Sequence, residues 1–86
     1  MDEYKITFAR SARKELEGLP AREVGKIFPK IEALAQEPRP GGCRKLVGES
    51  NLCRIRIGNY RVVYSVDDSL HLVDIIAVRH RSDAYR

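Results

Sequence analysis

The sequence predicts a small α+β domain in which an N-terminal helical hairpin packs on one face of a twisted, antiparallel-rich β-sheet. Two patterns support this class. Apolar residues recur at three- and four-residue spacing over residues 24–35, as in a helix, whereas residues 52–64 alternate between apolar and polar, as in a strand. With 86 residues, the chain can bury the modest core of one domain. We therefore expect a single domain, residues 1–86, with the element order β-α-α-β-β-β.

The first strand and the two helices lie in the N-terminal half. Tyr4, Ile6 and Phe8 alternate with polar residues, which predicts a strand with one buried face. Ser11 is the predicted N-cap of a short helix. Pro20 suits the first turn of a second helix. The apolar stripe of that helix consists of Val24, Ile27, Phe28, Ile31, Leu34 and Ala35.

The remaining strands follow a loop that ends the second helix. The segment Pro38–Gly42 is rich in proline and glycine, and a weak strand signal follows at Arg44–Val47. Leu52–Tyr64 forms the predicted hairpin, with Gly58 and Asn59 as its two-residue turn. Leu72–Val78 is an almost unbroken apolar run, which predicts a central strand covered on both faces.

The hairpin separates an apolar face from an arginine-rich face. Because side chains alternate along a strand, one set should point to the core. That set is Cys53, Ile55, Ile57, Tyr60, Val62 and Tyr64. Arg54 and Arg56 point the other way, and the turn places Arg56 opposite Arg61, although like charges that face each other across strands are destabilising. We expect this face to bind an anionic partner.

Charge and composition agree with that expectation. The net charge is +4, and all of the excess lies in residues 39–86, which hold nine basic and five acidic side chains. Such asymmetry favours a polyanionic partner. No apolar run approaches the roughly 20 residues that cross a bilayer, so a cytoplasmic protein without a membrane partner is expected. The cysteines, Cys43 and Cys53, lack the spacing of a metal site or a disulfide framework.

Three segments together resemble the RelE branch of the RelE/ParE toxin superfamily. They are the hairpin Cys-Arg-Ile-Arg-Ile-Gly-Asn-Tyr-Arg-Val-Val-Tyr, the preceding Lys45–Gly48 and the closing His80–Tyr85. The resemblance covers essentially the whole chain in the same element order. It implies the toxin of a type II toxin–antitoxin pair, which enters the ribosomal A site and cleaves mRNA without a metal or cofactor. The implied partners are a RelB-like antitoxin, the ribosome and mRNA, with operator DNA bound only through the antitoxin.

The resemblance also assigns roles to individual residues. Arg61 and Arg81 match the phosphate-stabilising arginines of the family, and Tyr85 resembles its C-terminal active-site tyrosine. Arg54, Arg56 and Lys45 are predicted to hold the RNA backbone. Lysines occur at the first two of these positions in some relatives, whereas arginine is too basic to accept a proton. Either Tyr85 or His80 is therefore the candidate for transferring the proton, or else the reaction relies mainly on positioning and charge.

Two other functions fit the same sequence. A ParE-like protein would inhibit DNA gyrase by protein contact and would cleave nothing. That branch generally lacks the combination of arginines with a C-terminal tyrosine, so Arg81 and Tyr85 favour the nuclease. A basic RNA-binding module without catalysis is the third interpretation, and it predicts binding that weakens steeply with salt but leaves the strand intact.

Overall fold

The computed structural model describes residues 3–40 and 52–80, together with the backbone of Arg44 and Lys45. Its elements in chain order are β1 (Lys5–Phe8), α1 (Arg10–Glu17), α2 (Ala21–Ala33), β2 (Arg44–Lys45), β3 (Leu52–Ile57), β4 (Tyr60–Asp67) and β5 (Leu72–His80). The predicted class and element order are confirmed, and the short β2 lies where the sequence gives a weak strand signal. In this part of the chain, neither helix has the length and apolar character needed to cross a membrane.

The five strands form one sheet in the order β1-β5-β4-β3-β2. Strand β1 runs parallel to β5, and all other neighbours are antiparallel. The parallel pair requires a long crossover, and both helices lie within the connection that supplies it. As predicted, β5 is central, because β1 and β4 flank it.

The core lies between the two helices and one face of the sheet. Its buried residues are Ala12, Leu16, Ile27, Ile31, Leu34, Cys53, Ile55, Ile57, Val62, Tyr64, Val66, Val73, Ile75 and Val78. All the predicted core residues of the hairpin belong to it except Tyr60, which is partly buried against it. The opposite face of the sheet, which carries Arg54, Arg56 and Arg61, is called the open face below.

Strand β5 departs from its prediction, because its two faces are not equally covered. Val73 and Ile75 are buried, whereas Asp74 between them is only half-buried on the open face. The expectation of a strand covered on both faces is therefore wrong. The helices pack against one face only, and apolar neighbours on the sheet shield the other face in part.

A β-bulge interrupts the pairing of β4 with β5. Val63 pairs with Ala77 and Tyr64 pairs with Ile75, so Ile76 is one extra residue in β5. A bulge reverses the side to which the following residues of its strand point. Beyond it, Val78 is buried and Arg79 is exposed.

Ser11 contacts this bulge rather than capping its helix. Helix α1 begins at Arg10 after Ala9, and no side chain caps it. The Ser11 hydroxyl instead donates to the Ile76 carbonyl at 2.9 Å. The predicted N-cap role is wrong, because the extra residue in β5 offers that hydroxyl a carbonyl acceptor.

Hydrogen bonds attach the segment after α2 to the end of the sheet that lies away from the hairpin turn. The buried Tyr64 hydroxyl donates to the Pro38 carbonyl at 2.8 Å. Arg39 forms two hydrogen bonds to the Asp68 carboxylate, at 3.1 and 3.0 Å, and the Tyr4 hydroxyl donates to the same carboxylate at 2.6 Å. The hydrogen bonds from Arg39 and then Tyr4 lower the pKa of Asp68, because they favour its charged form.

We expect Asp68→Asn to lower the urea concentration at the midpoint of unfolding slightly at pH 6, but not at about pH 2. A carboxyl whose pKa is lowered in the folded state stabilises that state above its unfolded pKa of about 3.9. The contribution is lost as pH falls through the lower folded value. The cluster is exposed, so the effect should shrink in high salt. Urea titrations at both pH values test this, with Glu32→Gln on the exposed side of α2 as the control; an equal deficit at both pH values would contradict it.

Candidate nucleic-acid interface

The hairpin that carries the arginines has the predicted turn and register. Gly58 has a φ of 59°, a conformation that costs glycine little, and Asn59 completes the two-residue turn. Ile57 pairs with Tyr60, and Arg56 pairs with Arg61. The register therefore brings two arginines together on the open face.

A third arginine extends this pair across the next strand. Arg61 pairs with Arg79 of β5, so Arg56, Arg61 and Arg79 occupy one row across β3, β4 and β5. Neighbouring strands lie about 4.8 Å apart, so the row spans about 10 Å between its outer Cα atoms. Guanidinium groups are planar donors that match phosphate oxygens, so three arginines in one row of the sheet suit a nucleic-acid backbone. We call these three residues the arginine row.

Arg79 is the member of this row that the sequence analysis did not single out. Regular alternation from Val73 and Ile75 would place residues 77 and 79 on the core face. The extra residue Ile76 reverses this pattern and puts Arg79 on the open face. Its Nε lies 2.8 Å from Glu15 Oε2, and its side chain is 54% exposed. A bulge has no reliable sequence signal, and the weak hint here was an arginine next to the predicted motif.

Arg54 lies in the adjacent row of the open face. It pairs with Val63, which in turn pairs with Ala77. Two residues along a strand correspond to about 7 Å, so Arg54 can contact a neighbouring part of the same bound backbone. On its other side, Arg54 pairs with Arg44 of β2, whereas Lys45 pairs with Cys53. The register aligns the backbone of Arg44 with that of Arg54, and the role of Lys45 stays a prediction.

The open face becomes acidic away from the arginine row. Asp74 is in the row after that of Arg54, because it pairs with Ser65 of β4. Its carboxylate accepts a hydrogen bond of 2.8 Å from the Thr7 hydroxyl of β1. This bond keeps the carboxylate at the β1 side of the sheet. The charge gradient favours an anion at the hairpin end of the open face.

The other predicted site residues lie at or beyond the end of β5. His80 is half-buried, and its ring meets that of Tyr60 edge-on, with centroids 5.2 Å apart. Tyr60 belongs to the core-facing side of the hairpin, so this contact does not bring the imidazole to the arginine row. Arg81 and Tyr85 lie outside the described residues, and their roles stay predictions. Within residues 3–40, 44–45 and 52–80, no three His, Cys, Asp or Glu side chains form a group that could hold a metal.

Comparison with known proteins shows similarity over nearly the whole chain. The family described as the ParE toxin of the type II toxin–antitoxin system parDE matches residues 6–85. Toxin RelG of Mycobacterium tuberculosis is 34% identical over 96% of this chain and 97% of its own. The structure is similar to a chain of the toxin–antitoxin complex RelBE2 of the same organism (TM-score 0.80, 31% identity, covering 92% of this chain and 99% of that one). It is also similar to the archaeal RelE-RelB complex of Pyrococcus horikoshii (TM-score 0.81, 29% identity, 94% and 97% covered).

Proposed function

The chain belongs to the ParE toxin family of type II toxin–antitoxin systems, within the RelE-like toxin superfamily, and we propose that it is a ribosome-dependent endoribonuclease. The proposed substrate is mRNA in the ribosomal A site. The ribose 2′-oxygen attacks the adjacent phosphorus and the bond from phosphorus to the 5′-oxygen breaks. The 2′-hydroxyl proton passes to a base and the leaving 5′-oxygen takes up a proton, which leaves a cyclic phosphate and a free 5′-hydroxyl.

The arginine row is the observation that supports this proposal. Negative charge accumulates on the phosphate oxygens as the 2′-oxygen attacks, and fixed guanidinium groups stabilise that charge without a metal ion. Like charges that face each other across strands are destabilising, so the pairing of Arg56 with Arg61 favours an anion at this face. A sheet that holds them in register is therefore organised for a phosphate before the RNA arrives. Arg61 occupies the middle of the row, so we assign it to the reacting phosphate.

The remaining roles are assigned around that phosphate. Arg56 and Arg54 hold the flanking RNA backbone, with Lys45 as a further candidate. Arg81 adds positive charge at the end of β5, and Tyr85 stacks on a base or moves a proton. His80 is the second candidate for proton transfer, although its contact with Tyr60 favours Tyr85.

We further propose that a RelB-like antitoxin inhibits this toxin in the cytoplasm. The similar structures from M. tuberculosis and P. horikoshii are complexes of a RelE toxin with its RelB antitoxin. The antitoxin is proposed to cover or distort the basic site. In this proposal, operator DNA is bound through the antitoxin.

The decisive experiment maps mRNA 5′ ends after translation in a purified system, with and without ribosomes. We expect new ends in phase with the codons, only when ribosomes are present. An mRNA with a single 2′-deoxynucleotide before the cut should stay intact at that codon and be cut at others, because the attacking oxygen is missing there. Arg22→Ala, which removes an exposed arginine on α2, is the control for net charge.

The alternative is a gyrase inhibitor, and the name of the matching family, ParE toxin, is the observation that favours it. It predicts intact mRNA, continued translation and a loss of DNA supercoiling by purified gyrase. Intact mRNA in the ribosome assay would overturn the nuclease proposal. Cleavage that also occurs at the 2′-deoxynucleotide would overturn the proposed chemistry.

A further inference from the structure

Helix α1 takes over the outer edge of β5 where strand β1 ends. The last backbone hydrogen bond between the β1 segment and β5 is donated by the Ala9 amide to the Ile75 carbonyl, at 2.8 Å. Beyond that point, side chains of α1 supply the partners. Ser11 donates to the Ile76 carbonyl, and Glu15 Oε1 accepts from the Val78 amide at 2.8 Å. The end of β5 is thus bonded to β4 on one side and to α1 on the other.

Glu15 has a second contact, with the arginine row. While Oε1 holds the Val78 amide, Oε2 lies 2.8 Å from Nε of Arg79. One carboxylate therefore holds both the backbone and the next side chain of β5. The Glu15 side chain is only 29% exposed, so the pair is partly shielded. Exposed ion pairs rarely fix a geometry, but here the backbone bond fixes the carboxylate first.

The contact determines which part of Arg79 can meet a ligand. A carboxylate on Nε leaves the far terminal nitrogen of the guanidinium directed away from it. The contact also holds the Arg79 side chain toward α1, which lies on the side of β5 away from Arg61. The position of the third arginine therefore depends on a residue of a helix that carries no other part of the proposed site.

We propose that Glu15 is a positioning residue, which holds Arg79 and the end of β5 so that the arginine row fits the RNA phosphate. This inference rests on the proposed nuclease function. It assigns a role to a carboxylate at the border of an anion-binding face, where its charge alone would oppose RNA binding. The benefit must then come from geometry, since errors of about 1 Å in the placement of a reacting group can cost 100-fold in rate.

The test compares Glu15→Gln with Glu17→Gln in single-turnover cleavage on programmed ribosomes. The glutamine at position 15 can still accept from the Val78 amide, but it cannot pair with the Arg79 charge. Glu17 is exposed, lies two residues further along α1 and gives the same change in net charge. We expect Glu15→Gln to lower the rate at saturating ribosomes at least about tenfold, with ribosome affinity equal to that of Glu17→Gln. Equal rates for the two variants would overturn the proposal.

A double-mutant cycle shows whether Glu15 acts through Arg79. In an Arg79→Lys background, which removes Nε, we expect Glu15→Gln to have no further effect on the rate. Additive losses would overturn the positioning role, because they would indicate a separate effect on folding or charge.

An NMR measurement tests the positioning without any need for activity. Exchange of the Arg79 Nε proton with water should accelerate at least about tenfold in Glu15→Gln, while the Val78 amide stays protected. Unchanged exchange at Arg79 would overturn the inference even in an active toxin. If the wild-type protein cuts no mRNA, the nuclease proposal fails, whereas faster exchange would still establish that Glu15 holds Arg79.

Discussion

Replacing Arg61 by alanine is expected to lower single-turnover mRNA cleavage by about 100- to 1,000-fold. This corresponds to about 3–4 kcal/mol of transition-state stabilisation, the usual effect of removing one fixed donor from developing oxyanion charge. Ribosome affinity should change much less, because Arg54, Arg56 and Arg79 remain to hold the backbone. The loss should therefore appear in the rate at saturating ribosomes.

Arg61→Lys and Arg22→Ala separate geometry from charge in the same assay. Lysine keeps the charge at position 61 but lacks the planar pair of donors, so we expect a rate between those of the wild type and the alanine variant. Arg22 lies on α2, in the helical layer, and its loss should leave the rate within about twofold, as for most exposed substitutions. An Arg61→Ala protein that cleaves at the wild-type rate would show that the arginine row binds RNA without stabilising the reaction.

The hairpin was predictable because local rules determine it. A two-residue turn with Gly58 fixes the pairing of Ile57 with Tyr60, and the period of two then assigns every side chain of β3 and β4 to a face. The apolar stripe of α2 is predictable for the same reason, since Ile27, Ile31 and Leu34 follow the helical period.

The rest of the candidate site depends on tertiary contacts that no local pattern encodes. The bulge at Ile76 turns Arg79 to the open face, and the sequence of an apolar run does not reveal where an extra residue will be accommodated. Ser11 and Glu15 bond to that irregular edge of β5 across more than sixty positions. Reading along the chain assigned Ser11 to a helix cap and did not single out Glu15. Only the three-dimensional packing of α1 against β5 reveals their common partner.

The second large effect concerns the core that supports the open face. Ile31→Ala is expected to lower the free energy of unfolding by about 2–5 kcal/mol. Ile31 is completely buried between α2 and the sheet, so its removal loses apolar burial and leaves a cavity. A chain of 86 residues has a total stability of about 4–13 kcal/mol, so this one change can unfold much of the protein at 37 °C.

Leu70→Ala is the matched control for this prediction. Leu70 is 70% exposed in the turn between β4 and β5, and truncating its side chain should alter the free energy of unfolding by less than about 0.5 kcal/mol. Urea titrations of both variants at pH 7 measure the difference, and an Ile31→Ala protein as stable as Leu70→Ala would contradict the assignment of the core. The comparison also bears on function, because the packed core beneath holds the strands that carry the arginines in register. A destabilised core should therefore lower cleavage in proportion to the folded fraction, whereas Arg61→Ala should lower it in a fully folded protein.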